Sequence, residues 1–147
     1  MRPETARRAL AWLLRINGAL ACLAIVAVFF PTVWIDAGSR LAGLGPFPDT
    51  VLTQYLVRSV SAIYALLGAL VLYLAAHVEH HRQLVVFVGW LTVALGAALT
   101  GIDFSLGMPA SWSWGEGPPT VVVGVAIVWL GRLSAPGGSS AGSPSRR

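Results

Sequence analysis

The residues of this chain that could do chemistry fall into two groups. His77, Glu79, His80 and His81 crowd one short polar stretch. On a continuing helix His77 and His81 would lie at i, i+4 and His77 and His80 at i, i+3, spacings at which side chains can share a metal ion. The second group is dispersed. Arg58, Asp103 and Glu116 stand at the edges of long apolar stretches, with Tyr55 and Ser61 flanking the arginine. The histidines sit in an exposed turn with no surroundings to enclose and orient a metal ion. His77, His80 and His81 are thus the only residues to consider for a metal, and none is expected. Cys22 is the only cysteine, which excludes an internal disulfide and a thiolate metal site. The chain shows no nucleophile–histidine–acid set, no phosphate-cradling loop and no redox cysteine pair. Neither enzymatic activity nor a cofactor is expected.

The elements that must position these residues are apolar. Residues 16–35, 59–78 and 83–102 contain no Asp, Glu, Lys or Arg, and a shorter apolar stretch covers 117–131. A helix rising about 1.5 Å per residue needs roughly 20 such residues to cross a hydrocarbon core of ~30 Å. The composition agrees: 56% of residues are hydrophobic and 11% charged, against about 25% charged in soluble domains. A water-facing globule is excluded. The expected fold is all-α, an integral membrane four-helix bundle over residues 1–133, with spans near 12–32, 52–76, 84–104 and 117–133. Residues 134–147 are expected to form a disordered cytoplasmic tail rich in Gly, Ser and Pro. No length is left for a separate catalytic domain. The lipid bilayer is the expected partner, with a homo-oligomer or a second membrane protein as further candidates. The net charge of +4 comes from ten arginines scattered at span ends, so nucleic-acid binding is not expected.

The arginines also orient the chain. Arg2, Arg7, Arg8 and Arg15 precede the first apolar stretch, Arg82 follows the second, and Arg132, Arg146 and Arg147 come last. The first connection holds only Arg40 and the third none. By the positive-inside rule both termini and the second connection are cytoplasmic, and the first segment is expected to stay as an uncleaved anchor. In the first connection, Trp34, Ala37, Leu41 and Leu44 recur at helical spacing, with Asp36 and Arg40 opposite. This fits a short helix in the outer headgroup region, or an ordered loop. In the third connection, Trp112 and Trp114 suit the interfacial aromatic belt. Pro118 and Pro119 are expected at the start of the fourth helix, where a missing N–H costs little. Asn17 is expected to hydrogen-bond to a neighbouring helix or to headgroups.

Arg58 is the costliest residue to place. An arginine at mid-bilayer costs about 2.5–3.5 kcal/mol on insertion scales, so it should have a partner. If His77 faces Leu84 across the second connection, Arg58 comes level with Asp103, Ser61 with Thr100, Ala65 with Gly96 and Gly68 with Val93. Small residues recur along both helices at spacings that allow close packing. The register predicts an Arg58–Asp103 pair near the outer face, with Glu116 as a second anion. Two readings follow. One is a polar lock between helices in a structural or accessory protein. The other is an outward pocket for a polar or anionic ligand, lined by Arg58, Tyr55, Ser61, Asp103 and Glu116, in a small oligomeric transporter or carrier. A metal-dependent membrane protein using His77 and His81 is a third, less favoured, reading.

Tyr55-Leu56-Val57-Arg58-Ser59-Val60-Ser61-Ala62-Ile63-Tyr64-Ala65 is followed by Gly101-Ile102-Asp103, by Gly107-Met108-Pro109, and by Trp112 to Trp114 with Glu116-Gly117-Pro118. This succession resembles the BphX-like small bacterial four-span membrane proteins, over roughly residues 53–133. That family is grouped without an assigned function. The resemblance implies a topology and a bacterial inner membrane, not an activity. The histidine-rich turn departs from the charged turn of similar chains, which further disfavours a metal there.

Overall fold

Long runs of Leu, Val and Ala with no interior polar break favour helices, and in the computed structural model helices account for nearly all of the described residues, 2–134. Apart from Ser134, the expected tail lies outside them. Five helices follow in order: α1 (Pro3–Ala27), α2 (Thr32–Leu41), α3 (Val51–Ala76), α4 (Arg82–Leu106) and α5 (Ala110–Leu133). Of these, α1, α3 and α4 are long and apolar enough to cross a membrane. With 24 residues α5 has the length, but its first ten residues contain no Val, Ile or Leu.

Local chemistry explains two boundaries directly. Thr50 caps α3: its hydroxyl accepts from the Thr53 N–H at 3.2 Å, while the Thr50 N–H donates to the Thr53 hydroxyl. Gly107, at φ +66, ends α4, and the Met108 N–H closes back on the Asp103 carbonyl at 3.0 Å. The first connection does form a helix, α2. Its Asp36 pairs with Arg40 at 2.9 Å and accepts the Phe47 N–H at 2.7 Å. That backbone bond first, and Arg40 second, hold the Asp36 carboxyl below its ordinary pKa.

Three boundaries differ from expectation. α1 ends at Ala27, five residues before the expected 32, because Pro31 has no N–H to give the Ala27 carbonyl. α1 begins near the start of the chain, at Pro3, which suits the first turn of a helix, and takes in Arg7 and Arg8. α5 begins seven residues before the expected 117, so Pro118 and Pro119 lie inside it rather than at its start. A proline pair is tolerated mid-helix where neighbouring helices, hydroxyl side chains or water cover the freed backbone; the carbonyls that lose their i+4 N–H partners here are those of Trp114 and Gly115.

The helices pack as two pairs, α1 on α3 and α4 on α5, joined where α1 meets α5. This corrects the expected hairpin register. α3 and α4 share a tight turn but do not pack along their length. A Cβ on Gly68 would lie 2.6 Å from the Cys22 nitrogen and 2.7 Å from the Gly18 carbonyl of α1, so Gly68 does not face Val93. A Cβ on Gly96 would lie 2.7 Å from the Val121 nitrogen of α5, and one on Gly124 would lie 2.7 Å from the Val93 nitrogen. The small residues do form close seams, but each seam belongs to a different partner helix.

The core gathers at one end. Leu10, Leu14, Leu74 and Val85 are fully buried there, with Ala6, Ala75, Val78, Ile127 and Leu130 around them. The α3–α4 turn and both described ends of the chain meet at this end, where Pro3, Arg7, Glu79, Arg82 and Ser134 line one hollow of about 300 Å³. Arg7 pairs with Glu79, and Arg82 donates to the Gly131 carbonyl at 3.3 Å.

Candidate functional site

The residues expected to form one polar cluster are not brought together. Arg58 is exposed on α3, as is Tyr55, while Ser61 is half-buried. Among the described residues no carboxylate lies within 4.0 Å of Arg58; the ion pairs there are Arg7–Glu79 and Arg40–Asp36. The Arg58–Asp103/Glu116 lock is therefore absent, for a simple reason: its partners belong to helix pairs that do not meet at that level. Asp103 is 5% exposed and continues the buried line of Gly89 and Gly96 on α4, the face applied to α5. One of its carboxyl oxygens, Oδ2, has no hydrogen-bond partner among the described residues.

The histidines likewise stop short of a metal site. α3 ends at Ala76, so no continuing helix carries the i, i+4 pair. The His77 ring stacks on Tyr73 with centroids 4.5 Å apart, and its Nδ1 donates to the Tyr73 carbonyl at 2.9 Å. Among the described residues no three His, Cys, Asp or Glu side chains converge as a metal would require.

Glu116 belongs to a different place. An open cleft of about 590 Å³ lies between α1, α4 and α5. α1 contributes Asn17, near its middle; α4 contributes Thr92; α5 contributes Glu116, Thr120 and the backbone of Gly115, with Trp112 and Ser111 towards its start and Pro119 and Val123 as apolar wall. Asn17 was expected to bond to another helix or to headgroups; instead its amide nitrogen donates to the Leu13 carbonyl of its own helix at 2.9 Å. Thr92 donates to the Val88 carbonyl at 2.8 Å. Cavities of this volume are typical of small-molecule sites. Glu116 supplies the only charge among the lining residues.

Asn17 and Glu116 were singled out in the sequence, but not as neighbours. Thr92 and Thr120 were missed, since isolated threonines in apolar runs are common packing residues. The available signal was the Pro118–Pro119 pair beside Glu116, once it is placed inside a helix.

No family's sequence pattern matches this chain, and neither a curated protein nor a solved structure matches it.

Proposed function

We propose that this chain is a non-enzymatic, multi-pass membrane protein that binds a small polar solute in the cleft between α1, α4 and α5, as a carrier or solute-binding component. In this reading α5 is the fourth span. At 1.5 Å per residue its 24 residues reach about 36 Å. Trp112 and Trp114 sit towards one interface, and Arg132 reaches the other. Both ends and the α3–α4 turn face the cytoplasm. Support comes from the end of the molecule where Arg7, Arg8, Arg15, His77 and His80 border one basic hollow, suited to an anionic leaflet. The resemblance of residues 53–133 to BphX-like proteins adds a bacterial inner membrane. Arg58, exposed and without a carboxylate near it, extends to outer headgroup phosphates.

The observation that carries the reading is the cleft itself: a carboxylate, an amide and three hydroxyls where membrane helices otherwise present aliphatic surface. Polar groups at that depth face water or a solute. The lining residues include no His, Cys or Lys, which favours binding over turnover. The test is cysteine accessibility in a Cys22→Ser background. Thr120→Cys should react with a membrane-impermeant thiol reagent added to spheroplasts, while Leu91→Cys, on the exposed apolar surface of α4, should not. Equal protection of both positions would contradict an aqueous cleft.

A further inference from the structure

The one charge in the cleft is negative, and a backbone acceptor beside it lacks its helical donor; these select the solute. Each threonine hydroxyl has a single proton. Thr92 spends its proton on the Val88 carbonyl and Thr120 on the Glu116 carbonyl, so each offers the cleft only lone pairs. Asn17 has one amide N–H engaged with the Leu13 carbonyl, leaving its second N–H and its amide oxygen, an acceptor, without a partner among the described hydrogen bonds.

Gly115 adds a backbone acceptor. The helical donors for its carbonyl would be the N–H groups of residues 118 and 119, and both are proline. A helical carbonyl points along the axis towards residue i+4. Here that residue is Pro119, itself in the cleft lining. Gly115 is exposed and has no side chain to cover the oxygen. In a membrane an uncompensated carbonyl is costly, so a donor from outside the helix should meet it. The Glu116 carboxylate stands beside it with no salt bridge among the described residues.

We propose that the solute is a small organic cation bearing an ammonium group. This rests on the reading of the cleft as a binding site. Thr92, Gly115, Glu116 and Thr120 present acceptors and the one charge, Asn17 and Ser111 can each accept as well as donate, and Trp112, besides its indole N–H, adds an aromatic wall that favours a cation. The match is to a group with several N–H donors and a positive charge, such as R–NH₃⁺. A volume of about 590 Å³ with Val123 and Pro119 in its wall has room for an organic body beyond the charged head, which a bare metal ion would not fill.

The test is calorimetric titration of the full chain in lipid nanodiscs with 2-phenylethylammonium, its neutral isostere 2-phenylethanol and the anion phenylacetate. The ammonium compound should bind saturably, one per chain, and the other two at least ~10-fold more weakly. Glu116→Gln should weaken ammonium binding about 10- to 100-fold, the range for losing a charged hydrogen-bond partner. Pro119→Ala should weaken it by less, because it returns an N–H to the Gly115 carbonyl while making α5 a better helix. Glu79→Gln, at the far end of the molecule, should change nothing. Equal binding of all three compounds, or ammonium binding indifferent to both Glu116→Gln and Pro119→Ala, overturns the proposal. So does saturation by Na⁺ or Mg²⁺ alone that excludes the ammonium probe. If none of the probes binds, the cation proposal falls, and labelling of Thr120→Cys decides separately whether the cleft reading survives.

Discussion

Arg58 shows how a single charge can mislead. Its position on α3 and its cost in lipid both argue for a carboxylate partner, and the sequence offers Asp103 at a plausible register. The structure places Asp103 in the α4–α5 seam and leaves Arg58 exposed. An arginine can avoid that cost by length, with its stem along apolar surface and its guanidinium at the headgroup layer. A buried pair that loses one partner costs about 3–5 kcal/mol, whereas a substitution away from such a feature stays within about 0.5 kcal/mol. Arg58→Gln should therefore shift thermal stability little. A double-mutant cycle of Arg58→Gln with Asp103→Asn should show coupling no larger than about 0.5 kcal/mol, the scatter of independent sites. Coupling of several kcal/mol would restore the lock.

At the level of helices, composition and periodicity were readable and partnership was not. Thr50 announces the start of α3, and the observed Val51–Ala76 nearly coincides with the expected 52–76. The amphipathic spacing around Asp36 and Arg40 does form a helix. The stripes through Gly68 and Gly96 are close-packing seams, as small residues at helical spacing imply. A stripe records that some backbone approaches there, not which one. Two helices joined by a short turn are natural neighbours, and here that expectation fails because α1 and α5 occupy the two seams. The start of α5 is hidden for a related reason: proline pairs ordinarily mark helix starts, and no Val, Ile or Leu precedes Pro118 in that helix to signal otherwise. The seams make a direct prediction. Gly96→Leu should destabilise by about 1–3 kcal/mol, as overpacking of a tight contact does, and the loss should appear as weakened α4–α5 association. A cysteine cross-link placed between α1 and α3 should still form in that variant. Loss of both pairings together would show that the two pairs are not separate packing units.

Taken whole, the molecule is two helix pairs pinned at one end by a shared apolar core, with the chain's described ends and the α3–α4 turn at that same end. Away from the pin, α3 and α4 do not close on each other, and the polar cleft is set between α1 and the α4–α5 pair. The all-helical, membrane-suited character followed from hydropathy alone. The site did not, because it depends on which pairs form and on a backbone carbonyl freed by two prolines. Its depth in the bilayer depends in turn on α5 crossing, and reporter fusions test this most directly. A fluorescent protein that matures only in the cytoplasm, fused before residue 2, after Gly107 and after Ser134, should glow at the first and third positions and stay dark at the second. Matching signals after Gly107 and after Ser134 would mean that α5 does not cross, and would contradict the account.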